Sequence, residues 1–274
     1  MKRNFKPNRM TEKRYNSAIR RIMKGLEREM AHAKSPFQML SVLRGLARSP
    51  TFQKACEDAA RSMATHAFSD GHRTWREAAR SGSKGRRIYR LLQKELEEDG
   101  IYRDIISRNS LLIQSMTNEA AERVSNMVAE GQSAGMRSED MMNNIMRQWP
   151  TMTMAHARLI ARTESSKAAS ALTRSRAQSA GLNWYIWETS EDSRVRSSHR
   201  HMDGVLVNWN DPPSPEGLID MKNYGKYHAG EFPNCRCYAA PLIEYSDVSW
   251  PHKVYRNGRI RYMRLSEFKK IEGG

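Results

Sequence analysis

Apolar residues recur at helical spacing through the first 150 positions, and this periodicity constrains the fold more than any other feature. Tyr15, Ile19, Ile22, Met23, Leu26 and Met30 trace one stripe, which Leu40, Leu43 and Leu46 continue beyond Pro36. Phe52, Cys56, Ala59, Met63 and Ala67 form the next one after Pro50, with Thr51 as the expected N-cap. Ile88, Leu91, Leu92 and Leu96 mark a helix that ends near Gly100. Ile105, Leu112, Met116, Ala120, Val124 and Met127 mark a long one after it. Residues 140–149 read as a short helix stopped by Pro150. Such stripes suit a helix-bundle core or a face offered to a partner. The 17 methionines favour the second reading, because a flexible thioether suits an adaptable interface.

After Pro150 the texture changes. Thr153 is expected to cap a helix that runs to Ala180 and stops at Gly181. Met154, Ala157, Ile160 and Ala161 give it an early apolar face; its far half is rich in Ala and Ser, which permits close backbone packing. Arg162 and Glu164 do not share a helical face, so each is expected to reach a different neighbour in the strand region. Residues 183–189, 204–209 and 236–245 are β-prone. Between the last two lies a Pro- and Gly-rich loop, 210–234, long enough to be functional or pinned by something other than a core. Residues 254–262 carry Asn257-Gly258, the favoured two-residue hairpin turn, which pairs Arg256 with Arg259 and Val254 with Arg261. One face of that hairpin is then basic, and Tyr255, Ile260 and Tyr262 make the other apolar. The expected fold class is α+β. A largely helical N-terminal region (1–150) precedes a small α+β domain with short antiparallel strands (151–245) and a basic C-terminal hairpin tail (246–274).

The net charge is +16, and it is concentrated at the ends. Residues 1–50 hold 13 basic and 3 acidic side chains, residues 251–274 hold 7 and 2, and residues 101–250 are near balance at 16 and 17. Basic ends suit a polyanion, most often nucleic acid. Lys2, Arg3, Lys6, Arg9, Arg256, Arg259 and Arg261 are the expected contacts to DNA phosphates, without base readout. Solvated tails and an anionic membrane surface are the other readings. No run is long and apolar enough for a membrane span, and the start lacks the apolar stretch of a signal peptide. Three cysteines are too few for a disulfide scaffold, so a reducing, intracellular place of synthesis is expected.

Chemistry-bearing residues gather in two clusters, Asp192 to Gly204 and Pro233 to Cys237. On an extended strand, Cys235 and Cys237 put both sulfurs on one face, and a disulfide between them would be strained. Two thiolates so placed suit a metal. The ligand pool is Cys235, Cys237 and His199, with His228, His201 or Asp192 as the fourth, and the expected ion is a structural zinc. The alternative is two small buried hydrophobes beside a hydrogen-bonded histidine. Asp192, Arg194 and Arg196 read as a local ion-pair and turn network. No hydrolase elbow, phosphate-binding loop or dinucleotide loop occurs, so the chain is expected not to be an enzyme. A metal-dependent nuclease using His199, His201 and Asp203 is the rival reading.

The ordered set is more specific than its parts. It runs through Ala161-Arg-Thr-Glu164, Gly181, an aromatic strand ending in Trp187, Asp192-x-Arg194-x-Arg196-x-x-His199, Asp203-Gly204 and Pro233-Asn-Cys235-Arg-Cys237. Over about residues 152–242 this resembles the phage head morphogenesis domain of Mu F-like minor head proteins. The family's residues carry over as Asp192, Arg194, Arg196, His199, Gly204, Cys235 and Cys237; the extra imidazole of His201 beside His199 departs from the pattern. The resemblance implies a minor capsid protein of a tailed bacteriophage, made in the host cytoplasm and placed inside the head at the portal vertex. Its implied partners are the portal protein, scaffold or major capsid protein, and double-stranded DNA. The helical region is the expected portal-docking arm. A general non-specific DNA-binding protein with no virion role is the remaining alternative.

Overall fold

In a computed structural model, residues 4–80, 84–95 and 100–272 are described. Lys2, Arg3 and Leu96, singled out above, lie outside them. The chain is α+β: helices α1 (Arg9–Ala31), α2 (Pro36–Ala47), α3 (Pro50–Arg80), α4 (Gly85–Lys94), α5 (Gly100–Ser133) and α6 (Ser138–Ser179) precede a small sheet. The sheet strands are β1 (Trp184–Glu188), β2 (Leu206–Asn208), β3 (Tyr238–Pro241), β4 (His252–Arg256) and β5 (Arg259–Met263), with short helices α7 (Ser197–His201) and α8 (Leu265–Ile271). Among the described residues, no helix is long and apolar enough to cross a membrane.

Three of the expected helix boundaries shift, among them Thr153, which lies inside α6 and donates its Oγ1 to the Trp149 carbonyl instead of capping. Ser49, not Thr51, caps α3: its Oγ accepts the Phe52 N–H at 3.2 Å. Pro150 does not stop a helix, since α6 runs through it. A proline mid-helix removes one i→i−4 bond, and burial of Ile145 and Trp149 before it and Ala157 after it holds the helix together regardless. Gly181 ends α6 as expected, at φ +67°, with Leu182 N–H reaching the Ala177 carbonyl at 2.8 Å.

The described chain divides into two interleaved units. One comprises residues 9–65 and 102–164, so it is wholly helical. Its core holds Tyr15, Ile19, Met23, Met30, Leu43, Cys56, Met63, Ile105, Ile113, Val124, Ile145 and Trp149. The N-terminal stripes are therefore core, and their buried methionines are packing residues. Ile22, Leu46, Leu112 and Met127 sit at the half-buried margin. Tyr15 Oη donates to the buried Asn109 Oδ1 at 3.0 Å. Arg162 meets Glu12 (3.2 Å) on α1, and Glu164 meets Arg108 (3.1 Å) on α5. These two partners lie on helices rather than in the strand region, because both residues fall on the part of α6 that belongs to this unit.

The other unit comprises residues 1–8, 66–101 and 165–274. Its sheet has the order β3-β1-β2-β4-β5 and is antiparallel except for β2 against β4. β1 is an interior strand, between β3 and β2, and is buried on both faces. The hairpin has the expected register, Val254 opposite Arg261 and Arg256 opposite Arg259. It is not a separate tail, however. β4 joins the sheet through β2, and Val254, Tyr255 and Phe268 share one core with Trp75, Ile88, Leu92, Trp184 and Trp187. Its two faces are as expected in part: Arg256, Arg259 and Arg261 are exposed and Tyr255 and Ile260 pack on the core, but Val254 is buried on the arginine side and Tyr262 is 68% exposed on the other.

Candidate metal centre

Three side chains converge in the sheet unit. His199 stands in α7, held one turn past β1, while Cys235 and Cys237 lie just before β3. They reach His199 from a turn rather than by strand alternation. Asn234 has φ +59°, Cys235 N–H bonds to the Phe232 carbonyl at 3.0 Å, and Cys237 N–H points at Cys235 Sγ at 3.3 Å. His199 Nδ1 lies 3.4 Å from Cys235 Sγ and 3.3 Å from Cys237 Sγ. The three residues are only 2%, 4% and 1% exposed, and all cysteines are free thiols.

The other ring nitrogen is held by a relay that the sequence did not reveal. Tyr227 Oη donates to the buried Glu216 carboxylate at 2.7 and 2.8 Å. Burial and that carboxylate push the Tyr227 phenol well above its ordinary range, so it keeps its proton. Ser198 Oγ also donates to Glu216, at 3.0 Å. With its own proton committed to Glu216, Tyr227 Oη accepts from His199 Nε2–H across 2.9 Å. That assigns the tautomer of the neutral form: its proton sits on Nε2, and the Nδ1 lone pair turns toward both sulfurs. Trp187 and Phe232 flank the imidazole edge-on, with centroids 5.7 and 6.0 Å away.

The two thiols differ. A hydrogen bond from Cys237 holds the Cys235 thiol well below its usual value, against the opposing effect of burial. The same bond and burial push Cys237 upward. The donor set also fits a tetrahedral ion by size. With Zn–S near 2.3 Å and Zn–N near 2.05 Å, an N···S edge measures about 3.6 Å, close to the 3.3 and 3.4 Å observed.

The other expected ligands are not brought in. His228 Nδ1 pairs with Tyr185 Oη at 3.1 Å, and its ring packs on Trp209. Burial and the nearby Arg174 charge lower its pKa to about 4. His201 is exposed. Asp192 is taken by Arg236 at 2.6 Å and by Arg194, so it anchors a turn, as the ion-pair reading of this motif expects. Arg196 donates to the Pro233 carbonyl at 3.2 Å and lies over Phe232. Gly204, at φ +75°, turns the chain from α7 into β2. Among the described residues the group therefore has three donors, His199, Cys235 and Cys237. The long loop is pinned by Glu216 and Tyr227 from within, and by Ser170 Oγ on the Ala229 carbonyl at 2.9 Å. Of the expected phosphate contacts, Lys6, Arg9, Arg256, Arg259 and Arg261 are all exposed.

Fold and site together define an α+β protein whose small mixed sheet carries a buried Cys-Cys-His centre. Residues 122–240, which contain that entire centre, match the model of the family described as Phage Mu protein F like protein. The match supports the head-morphogenesis resemblance carried by the motifs. A protein of Haemophilus influenzae, named there only as an uncharacterized protein, is 32% identical over 136 residues, which is 50% of this chain and 28% of that protein. The chain thus spans under a third of that relative's length. No solved structure matches the chain.

Proposed function

We propose that this chain is a structural minor head protein of a tailed bacteriophage, acting in head morphogenesis at the portal vertex inside the capsid. The observation that carries the reading is the family match over residues 122–240, which holds the whole motif set from α6 to Cys237. The basic ends, and the exposure of Arg256, Arg259 and Arg261, support contact with packaged DNA irrespective of sequence. Co-expression with the portal protein of the same phage tests the reading. Co-purification with the portal ring and recovery in purified heads are expected; a ring and heads that both lack the chain overturn it.

In the same reading, Cys235 Sγ, Cys237 Sγ and His199 Nδ1 hold a structural zinc. Bound there, the ion supplies a cross-link between α7 and the end of the long loop. The relay from Glu216 through Tyr227 sets His199 for that role before any ion arrives. The nuclease reading draws on one observation, the count of three donors, which is also that of catalytic zinc sites. Incubation with duplex DNA and Mg²⁺, Mn²⁺ or Zn²⁺ is expected to leave the DNA intact. Cutting that disappears in a folded His199→Ala variant would establish the enzyme instead.

A further inference from the structure

α4 carries a cationic stripe that neither the motif set nor the basic ends include. Arg87, Arg90 and Lys94 are spaced i, i+3 and i+7, so they line one helical face over about 10 Å. They form one wall of an open cleft of about 580 Å³, and Ser175 and Ser179 of α6 line the other. The floor is already neutralised. Arg176, 1% exposed, donates Nε to both oxygens of Glu95 at 2.8 and 3.0 Å and lies over the Phe68 ring. Among the described residues, by contrast, Arg87, Arg90 and Lys94 have no carboxylate partner. Glu97, Glu98 and Asp99 follow in sequence and lie outside the described residues.

The geometry points to a phosphate-backbone site: we infer that the α4–α6 cleft binds one strand of duplex DNA through its phosphates. The inference rests on the DNA-contact reading above for the identity of the polyanion, and adds where contact is made. A lone phosphate would need donors that converge on a point, whereas these cations are strung in a line. Phosphates on one strand rise about 3.4 Å each, so the line spans two or three of them. Ser175 and Ser179 line the same space and supply hydroxyl donors for phosphate oxygens. None of these groups reads a base edge, in keeping with packed DNA of any sequence.

The test is fluorescence anisotropy on a mixed-sequence duplex across about 50 to 200 mM salt. It compares the full chain with Arg87→Gln/Arg90→Gln/Lys94→Gln and with Arg256→Gln/Arg259→Gln/Arg261→Gln. The cleft variant is expected to bind at least about tenfold more weakly and to flatten the log–log salt slope by about 2 to 3, near 0.9 per lost phosphate contact. The tail variant, which removes the same charge, is expected to change less. If the cleft triple fails to fold by thermal melt, Arg90→Gln/Lys94→Gln keeps Arg87 in place and is expected to flatten the slope by about 2. A folded cleft variant that binds like wild type, or that loses no more than the tail variant, overturns the cleft and leaves DNA contact standing. A wild-type chain that ignores DNA overturns both. Binding of polyglutamate but not DNA, lost in the cleft variant, overturns the inference in favour of an acidic protein partner.

Discussion

His199 derives its orientation from a phenol and a carboxylate rather than from the metal-type donors it faces. Glu216 accepts a hydrogen bond from Tyr227, Tyr227 accepts one from His199 Nε2–H, and Nδ1 is left to the sulfurs. Tyr227→Phe should keep the ring and lose the relay. Zinc affinity is expected to fall about 10- to 100-fold, read by competition with a chromophoric chelator. Cys235→Ser/Cys237→Ser should lose the zinc altogether, from about one ion per chain to none by elemental analysis, with a lower Tm. His228 gives a separate signal. Its folded pKa, about 4, lies below the ordinary value of 6.5, so the unfolded chain binds the extra proton between those limits. Its contribution is complete above pH 6.5 and is lost as pH falls toward 4, by up to about 3 kcal/mol. Urea midpoints of wild type and His228→Gln should converge or cross over that window; parallel curves would contradict the assignment. At this scale the sequence showed His199, Cys235 and Cys237 as a set, because their spacing is unusual. It could not separate Tyr227 from His228: both are aromatic, polar and adjacent, and only the path of the loop decides which one faces His199.

Among the elements, end chemistry was read correctly at Gly181 and missed at α3 and α6, where Ser49 caps in place of Thr51 and Thr153 lies inside the helix. Ser35 caps α2 by accepting the Gln38 N–H at 3.1 Å, and the Gln38 side chain returns to the Lys34 N–H at 2.6 Å. Ser35→Ala should cost about 1 kcal/mol in denaturant unfolding, with m unchanged. Gly181 combines a positive φ with a close neighbour, since a Cβ there would stand 2.9 Å from both terminal nitrogens of Arg87. Gly181→Ala should therefore cost about 1–3 kcal/mol and move Arg87 as well. Pro150 shows the reverse case, a strong local stop signal overridden by packing on both sides of it. The hairpin shows another. Asn257-Gly258 set its register correctly, but not its membership of the five-stranded sheet, because β2 and β4 pair in parallel across more than 40 residues of chain.

For the molecule as a whole, the interleaving matters most. A boundary at 150 would cut α6, and a fragment 151–274 would lack Phe5, Trp75, Ala78, Ile88 and Leu92, which are core residues of the sheet unit. Such a fragment is expected to lose cooperative thermal unfolding by circular dichroism, whereas the full chain keeps it. For the same reason a deletion of residues 1–100 does not merely remove a docking arm; it opens the core around Trp184 and Trp187. Charge patterning and hydrophobic period are local properties, so the sequence by itself determined the helical start, the α+β class, the strand segments, the Gly181 stop, the hairpin register and the Cys-Cys-His set. Tertiary structure alone decided which stripes face which core, that the hairpin closes the sheet, that Glu216 and Tyr227 orient His199, and that Arg87, Arg90 and Lys94 border a cleft. Each of those depends on segments far apart in the chain meeting in space, and neither residue spacing nor composition records that meeting.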